Sequence, residues 1–413
     1  MKCIISDDVV LSRPLGGPLS AHISGFAQWV RGEGYALYSR HRQVRLAACF
    51  SHWLGQESID RSRINSEHAG RYLRSRACQV KICRGDAAAL RQFIDFLHRQ
   101  GVIPAEKIPP RQPSPVEQAV REFESYLLND RALTRATAIN YVPFVRAFLA
   151  GRFAKGSVRL PRLCAGDVVR FVQHQVPRLH LKRAKLLTTA LRSFLHYARY
   201  RGEIEYDLAA AVPAVANWSM TSIPRAIPAG LVRRLLGSID RHTAMGRRDY
   251  AILLLLARLG LRAGEVAGIE LEDIDWNSGS LRVRRKGGQR TSLPLPAEVG
   301  AAIAAYLRHG RPRNNSCRHV FLRSRAPCRG LLGAVAIASL VRHNLTRAGI
   351  KAPTKGAHQF RHGLATEMLC HGASLSEIGE LLGHRSPETT RIYTKVDLNA
   401  LRPLALPWPG GVQ

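Results

Sequence analysis

The sequence predicts a multidomain, mainly α-helical chain whose last segment is α+β, built around a small β-hairpin sheet. Three observations predict it. Two proline-rich breaks divide the 413 residues, at 103–115 (IPAEKIPPRQPSP) and 211–228 (AVPAVANWSMTSIPRAIP). Proline stops helices, and both runs lack an apolar period. Before the second break, apolar residues recur at helical spacing. After it, residues 281–284 (LRVR) and 291–295 (TSLPL) flank residues 286–289 (KGGQ) as strand, turn and strand. The expected segments are 1–110, 114–210, 225–400 and a tail over 401–413.

Charge narrows the partners. Lys plus Arg number 62 against 30 Asp plus Glu, a formal net charge of +32. With 46% apolar residues the chain can bury real cores, so this surplus is a long-range field on a folded protein that seeks a polyanion. Nucleic acid is the first candidate and an anionic membrane the second. The longest apolar stretch, residues 251–261 (AILLLLARLGL), is too short to span a bilayer and contains Arg258. The first residues, MKCIISDDVV, put acids where a signal peptide carries its apolar centre, so a cytoplasmic protein is expected. The eight cysteines are scattered with no CxxC pair, which suggests neither a zinc site nor a disulfide framework.

The segment 114–210 reads as a helical bundle. Ser114, Pro115 and Glu117 form a capping-box signature. Val116, Ala119, Val120, Phe123, Tyr126 and Leu127 make one stripe behind it. Thr134 or Thr137 starts a second helix with Ile139, Tyr141, Phe144, Val145 and Phe148, which Pro143 should bend or restart. A third helix over about 181–200 mixes Leu187, Leu191 and Phe194 with Lys182, Arg183, Lys185 and Arg192. Its basic face is expected to lie on DNA phosphates. The first segment is expected to be a tandem domain of the same type, with chance likeness between two amphipathic basic helices as the alternative. Residues 89–101 (ALRQFIDFLHRQG) align without a gap on 190–202 (ALRSFLHYARYRG), while Phe26 and Trp29 match Phe123 and Tyr126 at an offset of 97 rather than 101.

In the last segment helices are expected near 228–237, 247–260, 297–308, 334–348, 359–371 and 374–382, with a short one from Pro387. Six residues there can handle a phosphate. Arg262 follows an apolar helix, Lys286 sits at a strand tip, and His358 and Arg361 open a helix in HQFRH. His384 follows Leu382 and Gly383, and Tyr393 lies nine residues later. No carboxylate cluster, metal-ligand spacing or nucleotide-binding signature accompanies them. Two arginines, a lysine, two histidines and a tyrosine suit phosphoryl transfer in which side-chain cations stabilise the charge, so no metal or cofactor is expected.

These motifs resemble the tyrosine recombinases, the phage integrase family. The resemblance rests on GLRAGEV (Arg262), Lys286 in the hairpin, HQFRH (His358, Arg361), LLGH (His384) and TTRIYTKV (Tyr393). It implies a helical SAM-like core-binding domain over the middle segment and an α+β catalytic domain after it. It also implies a site-specific recombinase of a transposon or other mobile element, acting on double-stranded recombination sites as a tetramer, with or without a partner recombinase. In that mechanism Tyr393 attacks a phosphodiester, Arg262 and Arg361 hold its non-bridging oxygens, Lys286 protonates the leaving oxygen, His358 is the base partner and His384 hydrogen-bonds the phosphate. Glu265 orients Arg262. Arg183, Lys185, Arg192, Arg284, Arg285 and Arg290 are the expected DNA contacts, with a further basic run from Arg311 to Arg329. A type IB topoisomerase that nicks and reseals one strand, and a non-catalytic DNA-binding factor, are the alternatives. The apolar strip Leu398, Leu401, Leu404, Leu406 and Trp408 is expected to dock on a neighbouring subunit or fold back on its own domain.

Overall fold

A computed structural model describes residues 3–6, 9–11, 14–104, 113–153, 157–215, 223–285, 288–312, 317–384 and 386–396. The chain divides into two compact units. One comprises residues 107–221, the other residues 1–106 together with 222–413. Lys286 and the strip Leu398–Trp408 lie outside the described residues.

The 107–221 unit is four helices: α5 (Pro115–Ser125, running into a π-turn at Tyr126–Asp130), α6 (Arg135–Arg152), α7 (Ala165–Gln175) and α8 (Leu181–Tyr200). Ser114 caps α5 by accepting from the Glu117 N–H at 3.2 Å. The Glu117 carboxylate does not close the expected box; it takes Arg146 at 3.0 and 3.2 Å instead. Pro143 does not restart the helix: α6 runs through it. The lost hydrogen bond costs about 3 kcal/mol, but Val142, Phe144, Val145, Phe148 and Leu149 are buried on either side and hold both halves in one core. Ile139, expected in the stripe, is exposed.

In the larger unit, β1 (Cys3–Ser6) pairs antiparallel with β2 (Val9–Leu11), and α1 (Ile23–Gly32), α2 (Leu37–Gln56), α3 (Ser66–Ala77) and α4 (Asp86–Arg99) follow. Asn65 and His68 cap α3 reciprocally. Buried Asp86 receives Arg42 and the Cys83 N–H, which secures the start of α4.

The aromatic packing of α1–α4 reproduces that of α5–α8. Phe26 meets Phe93 and Phe96 at 4.8 and 5.7 Å, and Trp29 meets Phe96 at 6.0 Å. Phe123 meets Phe194 and Tyr197 at 5.4 and 5.5 Å, and Tyr126 meets Tyr197 at 4.8 Å. A second pair corresponds as well: Phe50 and Tyr72 at 5.4 Å, Phe148 and Phe171 at 5.2 Å.

The remainder of the larger unit is α+β. It runs α9 (Ala229–Gly237), α10 (Ala244–Arg258), α11 (Ala263–Ala267), β3 (Ile274–Asp275), β4 (Ser280–Arg284), β5 (Arg290–Pro294), α12 (Ala297–His309), α13 (Gly333–Arg347), α14 (His358–Cys370), α15 (Leu375–Leu382) and α16 (Pro387–Thr390). The sheet is antiparallel in the order β3-β4-β5. Residues 251–256 of α10 are buried on every side, so this helix is the spine of the core. Inside it, Asp249 accepts from Arg248 at 2.7 Å and from Asn344 at 3.0 Å, and Arg248 donates to the Leu322 carbonyl at 3.0 Å. Each of these three side chains thereby keeps a partner, though among the described residues Asn344 Oδ1 has none. The α1–α4 bundle contacts this part through the loop before α13: the Cys328 N–H donates to the Glu33 carbonyl at 3.0 Å, and Arg329 pairs with the Glu33 carboxylate at 3.3 Å. No helix among the described residues is long and apolar enough to cross a membrane.

Candidate active site

The site forms where α10, α14 and α15 end or begin. Gly383 terminates α15 in the left-handed region, at φ 61°, a conformation glycine adopts without strain. The carbonyls at that helix end, partially negative and without intrahelical partners, are taken by three guanidinium groups. Arg262 donates to the Gly383 carbonyl at 3.4 Å. Arg361 donates to the Leu382 carbonyl and, at 2.8 Å, to that of Gly260. Arg285 donates to the carbonyls of Leu382 at 2.8 Å and Leu381 at 2.9 Å.

Glu265 holds Arg262 as the sequence suggests. Its carboxylate accepts from the Arg262 main-chain N–H and from the guanidinium, both at 2.8 Å. Arg361 is 2% exposed. Burial, with Arg262 nearby, lowers its pKa to about 10, so it remains charged at neutral pH.

Tyr393 is carried on the 3-10 turn Arg391–Val396 and is 1% exposed, packed among Ala365, Ile378 and Leu382. Burial raises its phenol pKa, against the pull of Arg361. Its hydroxyl lies 3.1 Å from Nδ1 of His362. The ring at the phenol is therefore not that of His358, the expected base partner. His358 stacks edge-on against His362 at 5.0 Å, one ring further away. Burial and then His358 and Arg361 lower His362 to about 4. Burial and then Arg361, Arg262, His358 and Arg285 lower His384 to about 4. His358 is lowered by burial, Arg361 and Arg262. Nδ1 of His384 pairs with Thr390 Oγ1 at 2.7 Å, which fixes its ring.

The structure brings together Arg262, His358, Arg361, His384 and Tyr393. Sequence reasoning missed His362, although His358 and His362 stand four residues apart on one helix and so share a face. It also misplaced Arg285, which is 6% exposed and not available to DNA. The strand period carried that signal: Leu281 and Val283 point inward from β4, and Arg285 continues their alternation.

The other expected DNA contacts divide. Arg183 and Lys185 are exposed on α8, with Arg183 5.1 Å over the Phe144 ring. Arg192 is instead half-buried and spends its guanidinium on the carbonyls of Val212 and Pro213, at 2.8 and 3.4 Å. Arg290 is exposed and sits directly opposite Arg284 across the hairpin. Arg284 is paired with Glu270, which relieves the like-charge contact. In the later basic run, Arg318 pairs with Glu272, and Arg311 holds the carbonyls of Cys317 and His319.

Comparison with known proteins agrees with this geometry. Residues 227–399 match the phage integrase family. The putative integrase/recombinase y4rA of Sinorhizobium fredii is 58% identical over 413 residues, the whole of both chains. Tyrosine recombinase XerD of Listeria monocytogenes is 29% identical over 67% of this chain and 93% of its own. The fold is shared with XerH site-specific recombinase in its post-cleavage complex with palindromic difH (TM-score 0.55, 18% identity, 76% of this chain and 93% of that one). It is shared too with a lambda integrase(75-356) dimer bound to a COC′ core site (TM-score 0.50, 17% identity, 67% and 94%). The chain belongs to the phage integrase family, the tyrosine recombinases.

Proposed function

We propose that the protein is a site-specific DNA recombinase that cuts and rejoins duplex DNA through a 3′-phosphotyrosyl intermediate. The observation that carries this reading is the convergence of Arg262 and Arg361 on one helix end beside a tyrosine whose hydroxyl has a neutral imidazole as partner. A phosphodiester entering the turn offers charged oxygens in place of neutral carbonyls, and charge-assisted bonds are about twice as strong. Arg262 and Arg361 then exchange carbonyl oxygens for non-bridging phosphate oxygens, where negative charge gathers in the transition state.

Tyr393 Oη attacks phosphorus, and its proton passes to Nδ1 of His362, which supplements His358 as base partner. Lys286 gives a proton to the departing 5′-oxygen, and His384, neutral at pH 7, donates a hydrogen bond to the phosphate. The phosphotyrosyl bond conserves the energy of the broken one, so a 5′-hydroxyl from a second duplex reverses the step and reseals the strand. Because Tyr393 is buried before DNA arrives, the 3-10 turn that carries it must move toward the phosphate.

The substrate class is double-stranded recombination sites, joined pairwise by four protomers, in the integration or excision of a mobile element. Residues 225–400 serve as the catalytic domain and 114–210 as the core-binding domain. Residues 1–110 are a second copy of the latter, a reading supported by the matching aromatic clusters.

Nicked suicide substrates test the reaction. Wild-type protein should become covalently attached to DNA through Tyr393, as read by peptide mass spectrometry. Tyr393→Phe should bind duplex with unchanged affinity and form no adduct. An adduct on another tyrosine overturns the assignment of the nucleophile. Nicking and resealing without transfer between two sites would identify a topoisomerase instead.

A further inference from the structure

Arg285 is a buried cation that the proposed chemistry does not use. Its main-chain N–H donates to the Gln289 carbonyl at 2.7 Å, which places it at the base of the hairpin turn. Its guanidinium crosses to α15 and holds the carbonyls of Leu381 and Leu382. Nε is buried with no hydrogen-bond partner among the described residues. The nearest carboxylate oxygen, on Glu265, is 3.9 Å from its Nη1. A Cβ at position 383 would stand 2.8 Å from its Cζ, so Gly383 is required as much for this guanidinium as for the left-handed turn. Burying a third arginine beside Arg262 and Arg361 with one carboxylate between them is costly, and its hydrogen bonds indicate what it does there.

The Leu382 carbonyl accepts from both Arg361 and Arg285. Were Arg361 the sole donor to that carbonyl, its turn to a phosphate oxygen would leave a buried acceptor unpaired, which is unfavourable. Arg285 removes this penalty because it stays in place.

We propose that Arg285 is a positioning residue for strand cleavage: it keeps the Leu381 and Leu382 carbonyls satisfied and the Leu381–His384 turn fixed, which releases Arg361 to bind the scissile phosphate. The inference rests on the recombinase reading and deepens it. It makes Arg285 part of the same unit as Arg361 without contact to DNA.

The experiment compares full-length wild type, Arg285→Ala, Arg285→Lys and Arg361→Ala on two suicide substrates. One has a normal scissile phosphodiester. The other has a methylphosphonate, in which one charged oxygen is replaced by methyl and less guanidinium assistance is needed. Adduct formation by Arg285→Ala on the phosphodiester should fall at least tenfold, with duplex binding unchanged. On the methylphosphonate the deficit should shrink severalfold, in parallel with Arg361→Ala, and Arg285→Lys should recover part of the loss on the phosphodiester. If Arg285→Ala melts far below wild type, Arg285→Lys carries the same two-substrate comparison. Equal deficits on both substrates, or none on either, overturn the proposal. Failure of wild type to form any Tyr393 adduct instead overturns the recombinase reading beneath it.

Discussion

Tyr393 and His362 share a hydrogen bond in surroundings that hold both neutral. This gives folding a pH dependence of known sign. His362 and His384 titrate near 4 when folded and near 6.5 when unfolded. Below about 6.5 the unfolded chain therefore binds more protons, and stability present at pH 7 is lost as pH falls toward 4. Thermal melts should show a fall in Tm between pH 7 and pH 4.5, and the fall should be smaller in His362→Gln and His384→Gln. An unchanged pH slope in both variants would mean that neither imidazole is held neutral. Lys286 supplies a separate expectation. If it is the general acid, Lys286→Ala slows cleavage of ordinary DNA by roughly 10²–10⁴, and a 5′-bridging sulfur, a leaving group that needs little protonation, restores the rate. At this scale the short motifs carried the residues that the structure brings together, Arg262, His358, Arg361, His384 and Tyr393, because spacing within a motif survives folding. The sequence did not reveal that His362 is the ring hydrogen-bonded to Tyr393, because only the packing of the 3-10 turn decides which of two histidines on one helix face meets the phenol.

At the scale of elements, caps and apolar periods were legible and three-dimensional compensation was not. The Thr134 cap, the hairpin and the span of α8 follow local rules. Pro143 does not, since its cost is offset by neighbours from other helices. That offset leaves a measurable residue: Pro143→Ala restores the amide donor within α6 and should raise stability by about 1 kcal/mol or more. A higher urea midpoint at unchanged m-value would register it. The Pro143 ring is exposed, so its removal opens no cavity, and a lower midpoint would overturn this expectation. Arg285 illustrates the opposite failure. An arginine in a basic hairpin suggests a surface group, and only the β4 alternation, followed one residue past the strand, turns it inward.

At the scale of the whole molecule, the proposed duplication rests on aromatic positions that correspond between the two helical bundles. The offset between corresponding aromatics grows from 97 at Phe26 and Phe123, through 99 at Tyr72 and Phe171, to 101 at Phe93 and Phe194. Each increment falls between helices, as insertions in a duplicated bundle would. Basic positions recur on the same alignment. Lys81, Arg84 and Arg91 match Lys182, Lys185 and Arg192, all three of the first set are exposed, and the first two lie in the turn that leads into α4. Lys182 and Lys185 are exposed as well, whereas Arg192 is half-buried and tied to the Val212 and Pro213 carbonyls. If both bundles use these exposed cations on one polyanion, the first is expected to add phosphate contacts beyond those of the second. Reversing charge at Lys81, Arg84 and Arg91 in the full-length chain tests this without removing the Glu33–Arg329 contact. Each lost phosphate contact lowers the slope of log affinity against log salt by roughly 0.9. The triple variant should therefore show a flatter salt dependence and a shorter nuclease footprint, while still cleaving a minimal suicide substrate. If slope and footprint match wild type but assembly of two sites fails, the first bundle binds protein rather than DNA, and its charge serves only the long-range field of the chain.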